Sequence, residues 1–525
     1  MEIYIAYALI AVAAVLTCFV CLPMFKIIQL SGYKTRGVIA WWKSTSLDVL
    51  IRYAGLMLFG FITMIIFIGC FSVYEYVRYC AVALYDIFAV VFIVSAGKSG
   101  SNNVKYTGRM VRLMLTAAVV LIGLSALIAW ASYVSAYCQT LVAALPIVSP
   151  FVAIAANYIT TPFEKLNNNK YVKRAKAKLN DRAPIVIGIT GSYGKTTAKN
   201  MLSCMLKTKY TVLATPGSYN TPMGVCKTIN NDLNGEEYFI AELGARYKGD
   251  IKELCEIVKP KYGLITAVGD MHLETLGSRE NVANVKFELG EAIDSDGLLV
   301  LNGYNKSCGE LGERDTACKK QIVGVDNGIR YENLVIDGGG TKFDLVIDGE
   351  AYSVDSKLLG AHIAELICSC AAVALACGVE PDRIAAAANA LNAVEHRLQI
   401  VPSKDPSIIV IDDAYNSNPI GAKNALDVLA CMNGKKIIIT PGFVELGAIE
   451  KECNMTLGAQ IKEVCDYAFL IGSRAADIKK GAVKAGMPDG VISVFDSRDN
   501  AVKALSDICG EKAILFENDL PDNIK

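Results

Sequence analysis

The chain has 525 residues, enough for about three or four domains. Its 52 basic and 52 acidic residues give a formal net charge of zero, which argues against a nucleic-acid-binding protein. Hydrophobic residues make up 53% of the chain and the mean hydropathy is +0.36, which is too high for an ordinary soluble enzyme. The 17 cysteines show no four-cysteine zinc spacing, so we expect reduced, buried thiols.

The apolar excess lies at the start of the chain, in runs at 3–24, 53–73, 80–96, 114–134 and 138–159. Most of them reach the ~20 residues that cross a bilayer, so they predict about five membrane helices. Four is the alternative count, because the third run is short and Pro146 and Pro150 interrupt the fifth. A cleaved signal peptide would explain only the first run.

Basic residues predict the orientation of these helices. The second and fourth connections carry almost none, so the positive-inside rule places the first and third connections in the cytoplasm. We therefore expect a multi-pass cell-membrane protein that contacts membrane lipid, with its N-terminus outside and its later domains in the cytoplasm. The basic residues are Lys26, Lys34, Arg36, Lys43 and Arg52 in the first connection, and Lys98, Lys105, Arg109 and Arg112 in the third.

Residues 161–183 form a basic connector after this membrane region, which is predicted to occupy 1–160. The connector is interpreted either as a helix that lies on anionic headgroups or as a solvated linker. Its basic residues are Lys165, Lys170, Lys173, Arg174, Lys176, Lys178 and Arg182.

A phosphate-binding loop follows the first strand of the polar half. It reads Thr190-Gly191-Ser192-Tyr193-Gly194-Lys195-Thr196-Thr197, and a helical pattern continues to Lys207. Glycines let backbone N–H groups face an anion, the helix N-terminus adds a positive dipole, and a lysine neutralises phosphate charge. A threonine directly after the lysine supplies a hydroxyl for Mg²⁺. Ile189 replaces the first glycine of the common spacing, and the strand–loop–helix context argues against a chance glycine-rich turn.

Short β-branched runs alternate with helical patterns from Pro184 onwards and predict doubly wound parallel sheets. An antiparallel excursion is expected between Gln321 and Asp355, and a domain boundary near Val401. The predicted fold class is thus an α-helical membrane region followed by an α/β P-loop ATPase domain at 184–400 and a smaller Rossmann-like α/β domain at 401–525. The strand candidates are 185–189, 238–243, 262–268, 297–301, 408–412, 436–440, 467–471, 492–495 and 513–517.

Polar residues follow several of these strands, where ligands bind in parallel α/β sheets. Glu242, His272 and Asp413 are the main examples. The chain has three histidines, too few for a multi-histidine metal site, and a lone His272 is by itself more often structural than a metal ligand.

Several motifs besides the phosphate loop follow one another from Pro184 onwards. They are Glu242-Leu-Gly-Ala-Arg246, Gly249-Asp-Ile251, His272-Leu-Glu274, Lys286-Phe-Glu288, Gly360-Ala-His362, His396-Arg397, Asp412 to Pro419, and Glu445-Leu-Gly447. In order and spacing these motifs resemble the Mur ligase family, and most of all its D-alanyl-D-alanine-adding branch. That resemblance implies ATP- and Mg²⁺-dependent formation of an amide bond through an acyl phosphate, with positioned cations supplying most of the catalysis.

The resemblance also assigns roles to residues. Catalytic roles fall to Lys195, His272, Lys286 and Arg397, and Lys286 matches a lysine that is carbamylated in the family. Metal ligands are Thr196, Glu242, His272 and Lys286, and the substrate side includes Asn220 and Thr221. The nucleotide-binding residues are Thr190, Gly191, Ser192, Gly194, Lys195, Thr196, Thr197, Asp413 and Asn416.

Departures from the family pattern are equally specific. Ile363 and Leu366 occupy positions where the family carries asparagines near the adenine, which puts adenine recognition in question. Glu517 to Pro521 replaces an expected lysine–glycine–serine–arginine motif, and apolar runs stand where the family has a UDP-binding domain.

The leading hypothesis is a membrane-anchored ligase that adds D-alanyl-D-alanine or a related amine to a muramoyl peptide, with a further hypothesis that the acceptor is lipid-linked. The alternatives are a polyglutamate-type capsule ligase, distinguished by a polymeric product, and a non-catalytic membrane scaffold. Retention of Lys195, Glu242 and Lys286 argues against the scaffold. A P-loop transport ATPase is disfavoured by the loop spacing.

Overall fold

The computed structural model describes residues 11–12, 14–15, 17–34, 38, 55, 58, 62, 87, 91, 104–134, 141, 145–271, 273–324, 328–337, 339–392, 398–401, 403, 405–414, 418–444, 446 and 449–518. The chain forms two compact units, which meet in sequence at Asn169 and Lys170.

The described part of the first unit is helical. It contains α1 (Leu22–Leu30), α2 (Gly108–Val134) and the first part of α3 (Leu145–Arg182). The Gln29 amide donates to the Lys105 carbonyl over 2.7 Å and accepts from the Lys105 N–H over 2.9 Å. The backbone at Lys105, just before α2, is thereby held to the end of α1.

The prediction of a multi-pass membrane protein is wrong. Within the described residues only one helical segment, Gly108–Ala131, is long and apolar enough to cross a membrane. The first apolar run contributes a shorter apolar helix, Thr17–Leu30, and the fifth continues into the polar and basic part of α3. Apolar composition alone does not fix the length of a helix, and within the described residues only the fourth run forms a helix of membrane-spanning length. The runs at 53–73 and 80–96 lie almost entirely outside the described residues.

The basic connector is helical, because α3 continues to Arg182. Ala175 and Leu179 are buried in the core of the following domain. The Lys178 ammonium donates to the Asn230 carbonyl over 3.0 Å, and the Asn230 amide donates to the Tyr171 carbonyl over 3.1 Å. The end of the connector is therefore packed against the α/β region.

The second unit contains three sheets and the helices that cover them. Its strands are β1 (Ile185–Thr190), β2 (Val212–Ala214), β3 (Tyr238–Glu242), β4 (Tyr262–Ile265), β5 (Leu298–Asn302), β6 (Lys319–Val323), β7 (Ile329–Asp337), β8 (Gly340–Ile347), β9 (Glu350–Ser356), β10 (Gln399–Val401), β11 (Ile408–Asp413), β12 (Lys435–Thr440), β13 (Tyr467–Ile471), β14 (Ile492–Phe495) and β15 (Lys512–Glu517). Its further helices are α4 (Lys195–Lys207), α5 (Pro222–Asp232), α6 (Asp250–Val258), α7 (Leu273–Leu276), α8 (Arg279–Glu291), α9 (Lys306–Gly309), α10 (Ala361–Ala376), α11 (Pro381–Asn389), α12 (Pro419–Ala430), α13 (Glu450–Val464), α14 (Ala475–Lys484) and α15 (Arg498–Ala504).

The first sheet is parallel and has the order β2-β3-β1-β4-β5-β6. Its two faces are covered by different helices, with α4, α10 and α11 on one side and α5, α6 and α8 on the other. Alternate residues of β1 pack into the hydrophobic cores on the two faces of the sheet. Ile187 and Ile189 lie in one core, and Val186 lies in the other. Burial on both faces explains the continuous apolar runs of these strands.

The second sheet has the order β10-β11-β15-β12-β13-β14 and is parallel except for β10. Both α/β domains predicted from the sequence are thus present, and each of the nine predicted strands is found. The antiparallel excursion is confirmed as β7-β8-β9. It starts at Ile329 rather than Gln321, because β6 joins the parallel sheet.

Candidate active site

The phosphate loop joins the end of β1 to the start of α4. Gly194 forms the N-cap of α4 with φ of 77°, a left-handed conformation that favours glycine. A Cβ atom on Gly191 would collide with the hydroxyl of Thr266. The backbone therefore turns tightly in front of a helix N-terminus, which is the arrangement that binds phosphate.

Two of the predicted nucleotide-binding side chains brace this loop. The buried Thr190 hydroxyl donates to the Leu243 carbonyl over 2.9 Å. The buried Ser192 hydroxyl donates to the Gly269 carbonyl over 3.1 Å and accepts from the Gly269 N–H over 3.0 Å. Both side chains bond to neighbouring backbone, so they hold the loop in shape.

Lys195 lies over the loop that precedes it. Its ammonium group donates to the Gly191 carbonyl over 2.7 Å and to the Ser192 carbonyl over 3.3 Å. The charge predicted to neutralise phosphates is therefore held at the mouth of the loop.

Glu242 is the centre of a buried polar cluster at the end of β3, with 1% of the residue exposed. Its Oε2 accepts from the Thr196 hydroxyl and from the Lys199 ammonium group, each over 3.0 Å. Its Oε1 accepts from the Asn220 amide over 3.2 Å. The structure thus brings together three predicted site residues, Thr196, Glu242 and Asn220.

Lys199 was missed by reasoning from the sequence. It lies three residues after Thr196, so both side chains project from the same face of α4. This spacing is the only signal in the sequence, and it does not reveal that Glu242, 43 residues later, is the partner.

The predicted substrate residues Asn220 and Thr221 lie at the start of α5. The Gly244 N–H donates to the Asn220 carbonyl over 2.9 Å, and a Cβ on Gly244 would lie 2.7 Å from the Asn220 side chain. The Thr221 hydroxyl accepts from the Gly224 N–H and caps α5. The glycine of the Glu-Leu-Gly motif is therefore required for close approach of this loop.

Lys286, on α8, is buried with 3% of the residue exposed. Burial, together with the nearby charge of Lys195, lowers the pKa of its ammonium group to about 7, against the opposing effect of Asp250 and Glu288. At neutral pH the Lys286 side chain is then an uncharged amine in a substantial fraction of the molecules. This is the form that reacts with CO₂ to give a carbamate.

The resemblance assigned no role to Glu288, the last residue of its motif, and the structure shows what its side chain binds. Its carboxylate accepts from the Gly249 N–H over 2.8 Å and the Lys252 N–H over 3.0 Å at the N-terminus of α6. Asp250, in the same turn, accepts from the Arg246 and Tyr247 N–H groups. The Gly249-Asp-Ile251 and Lys286-Phe-Glu288 motifs therefore meet as one helix cap, which sets the position of α8 and Lys286.

A pocket lies beside the phosphate loop, between the two α/β domains. The predicted residues Gly194, Thr197 and Asp413 line it. Ile363 and Leu366, which depart from the family pattern, form an apolar part of the pocket wall, and each residue is 4% exposed. The Asp413 carboxylate also accepts from the Leu398 N–H over 3.1 Å, so it holds the start of the second domain.

Two further polar side chains line this pocket. Burial lowers the pKa of His362 to about 4, so its imidazole is neutral at pH 7, and its Nδ1 has no hydrogen-bond partner among the described residues. Burial also raises the pKa of the Glu365 carboxyl group. His272, Arg397 and Asn416 lie outside the described residues.

The oxygen atoms around Glu242 fit a magnesium ion. Neighbouring ligands of an octahedral Mg²⁺ at ~2.1 Å lie ~3 Å from each other, and 3.0 Å separates Thr196 Oγ1 from Glu242 Oε2. A hydroxyl and a carboxylate are also donors that Mg²⁺ prefers. In the described part of the chain no group of three or more His, Cys, Asp or Glu side chains could hold a metal, so this site would rely on few protein ligands.

Two protein-family models and several known proteins match the part of the chain that contains this site. Residues 189–374 match the Mur ligase middle domain, and residues 396–516 match the Mur ligase glutamate ligase domain. The UDP-N-acetylmuramoyl-tripeptide–D-alanyl-D-alanine ligase of Bacillus subtilis (strain 168) is 30% identical over 330 residues, which are 62% of this chain and 71% of that protein. The chain belongs to the Mur ligase family. It is therefore an ATP-dependent ligase of the class that forms peptide bonds.

A further relative and two solved structures are also similar to this chain. The enzyme of the same name from Mycobacterium tuberculosis (strain ATCC 25618 / H37Rv) is 31% identical over 57% of this chain and 62% of its own length. A MurF crystal structure from Acinetobacter baumannii has a TM-score of 0.62 at 24% identity, covering 67% of this chain and 77% of that one, and shows a shared fold. MurF ligase from Thermotoga maritima, solved in complex with ADP, has a TM-score of 0.59 at 25% identity and covers 67% and 80% of the two chains.

Proposed function

We propose that this chain is the Mur ligase that joins D-alanyl-D-alanine, or a closely related amine, to the carboxylate of a muramoyl-peptide precursor of peptidoglycan. The names of the B. subtilis and M. tuberculosis relatives support this choice of substrates. The ADP bound to the T. maritima ligase supports ATP as the co-substrate.

The observation that carries the proposal is the convergence of three groups on one site. Lys195 and Thr196 begin α4, and the Thr196 hydroxyl bonds to Glu242 at the end of β3. The buried Lys286 on α8 is near enough to Lys195 for that charge to lower its pKa. This combination could bind a triphosphate and a divalent cation, and Lys286 could supply an additional anionic ligand.

The resemblance to the family implies a reaction in two steps. The acceptor carboxylate attacks the γ-phosphorus of ATP, the bond from that phosphorus to the β-phosphate oxygen breaks, and an acyl phosphate and ADP result. The amine nitrogen then attacks the acyl carbon, the bond from carbon to the phosphate oxygen breaks, and phosphate leaves while the nitrogen loses its proton to solvent. Lys195 would offset the charge on the transferring phosphoryl group.

Thr196 and Glu242 would hold Mg²⁺, which when bound neutralises phosphate charge. Asn220 would orient the Glu242 carboxylate through its bond to Oε1. Asp413 would approach the nucleotide from the second domain, because it lines the same pocket as Gly194 and Thr197. We also assign His272, Arg397 and Asn416 to this site from their motifs.

Lys286 would contribute as a carbamate. Its uncharged amine attacks CO₂, a carbon–nitrogen bond forms, and the nitrogen releases a proton to solvent. The product is an anion that can ligate a metal ion or orient a ligand. Burial of Lys286 supports this step, because only the unprotonated amine is a nucleophile.

The adenine pocket would differ from that of other family members. Ile363 and Leu366 offer apolar contact where amide groups are expected, so the base would be held mainly by packing. Specificity for adenine would then rest on the remaining polar groups of the pocket, which include Glu365 and Asn302.

The test is phosphate release by the full-length protein with ATP and Mg²⁺. UDP-linked and lipid-linked muramoyl-tripeptides form separate arms, each with and without D-alanyl-D-alanine. Release that needs both acceptor and amine is expected, and Lys195→Ala should abolish it while the exposed Lys207→Ala on the same helix should not. No release with any pair, together with no detectable ATP binding, would contradict the proposal and favour a binding scaffold.

A further inference from the structure

Lys199 is buried beside the proposed metal site, although no step of the reaction uses it. Its side chain is 2% exposed, and its ammonium group contacts Glu242 Oε2 over 3.0 Å. It also donates to the carbonyl of Gly217 over 2.5 Å. Gly217 belongs to the segment 215–221, called here the substrate loop, which contains Asn220 and Thr221.

Burial of an ammonium group is costly unless partners replace its water. The pair with Glu242 offsets that cost, but an apolar side chain would avoid it altogether. A lysine at this position therefore needs a reason other than stability. Its second bond, to the substrate loop, offers one.

The substrate loop is bonded to the end of β3 at both of its ends. The Thr215 hydroxyl accepts from the Glu242 N–H over 3.1 Å, and the Asn220 amide donates to Glu242 Oε1 over 3.2 Å. The Thr215 N–H donates to the Ile240 carbonyl over 3.0 Å, and the Gly244 N–H donates to the Asn220 carbonyl over 2.9 Å. In the middle of the loop, the bond from Lys199 to the Gly217 carbonyl joins the loop to helix α4 of the phosphate site. Lys199 thus links the loop, Glu242 and the nucleotide-binding helix.

We propose that Lys199 is a positioning residue that fixes the substrate loop against Glu242, so that the acceptor-binding loop and the metal-binding carboxylate share one geometry. The inference rests on the proposed function only for the identity of the ligands. The alternative is a purely structural role, in which Lys199 does no more than neutralise Glu242.

Hydrogen exchange of the full-length protein without ligands separates the two roles. The variant is Lys199→Met, which keeps the length of the side chain, and the control is Lys207→Met, which removes an exposed charge from the same helix. The reporters are the amides of Thr215, Tyr219 and Gly244. We expect them to exchange about tenfold faster or more in Lys199→Met, as for the loss of one hydrogen bond to a charged group, and unchanged in the control.

Steady-state kinetics supply a second readout. Lys199→Met should raise the KM for the muramoyl acceptor by about tenfold and the KM for ATP by a smaller factor. Unchanged exchange in the loop, or faster exchange spread equally over β1 and α8, would overturn the proposal. A loss confined to kcat would overturn it as well.

The double variant Lys199→Met with Glu242→Gln covers the case in which the single variant does not fold. It removes both buried charges, so the fold no longer has an unpaired carboxylate. The loop amides should still exchange faster, because Gly217 lacks its donor, and protection equal to wild type would overturn the proposal. Exchange is measured without substrate, so failure of the wild-type protein to ligate any acceptor would contradict the proposed function and leave this result intact.

Discussion

At Lys286 the pKa of the ammonium group is lowered to about 7 by burial, while the same group in the unfolded chain has a value of 10.5. Below pH 7 both states are protonated, and the folded state bears the full cost of a buried charge. Between pH 7 and 10.5 the folded state releases its proton first, so stability rises with pH across that window. The residue thus lowers stability at neutral pH, which is reasonable only if its chemistry is needed.

Lys286→Met should therefore raise the free energy of unfolding at pH 7, on the order of 2 kcal/mol, while kcat falls at least about 10²-fold. The stability difference from wild type should shrink as the pH approaches 10. Urea unfolding in CO₂-free buffer at several pH values measures it, with the exposed Lys252→Met as the control. A stability difference that does not vary with pH would show that Lys286 does not titrate in this range.

Among elements, α6 and α8 are joined by one carboxylate. Glu288 on α8 accepts two N–H groups at the N-terminus of α6, where an anion also interacts favourably with the helix dipole. Because Glu288 is buried, water cannot replace it fully when it is removed.

Glu288→Ala should lower the free energy of unfolding by about 2 kcal/mol, the upper range for loss of a helix cap. Glu291→Ala, an exposed position at the end of the same helix, should change it by less than about 0.5 kcal/mol. Urea midpoints of the two variants give the comparison. Equal midpoints would mean that the two helices are positioned by apolar packing alone.

Sequence patterns predicted the strands whose local signal was strong. β1 and β12 are β-branched and buried on both faces, so their runs stand out. β2 and β10 each have three residues at the edge of a sheet, and such short segments carry little pattern. The phosphate loop is local and could be located, whereas the Lys199–Glu242 pair joins distant residues and required the fold.

At the scale of the whole molecule, the second unit begins within helix α3 rather than at the first strand. Residues 170–182 contribute Ala175 and Leu179 to the core beneath β1 and β3. The basic composition of this segment suggested a helix on anionic headgroups or a solvated linker, because its few apolar residues are spaced along one face of a helix among many charges.

A chain that starts at Lys170 should therefore fold cooperatively and bind ADP. A chain that starts at Pro184 loses the buried Leu179 and the bond from Lys178 to Asn230. Its free energy of unfolding should be lower by about 3 kcal/mol or more, the scale of a large-to-small core substitution. Urea unfolding of both fragments tests this. Equal stability would mean that residues 170–182 add nothing to the fold.

We expect an acyl phosphate to form at the site built by Lys195, Thr196 and Glu242. We would first use a muramoyl-peptide acceptor with ¹⁸O at both oxygens of its carboxylate, together with ATP, Mg²⁺ and D-alanyl-D-alanine, and determine the mass of the released phosphate. Each phosphate released in ligation should carry one ¹⁸O atom from the acceptor. Phosphate without ¹⁸O would contradict it, because the γ-phosphoryl group would then have passed to water rather than to the carboxylate.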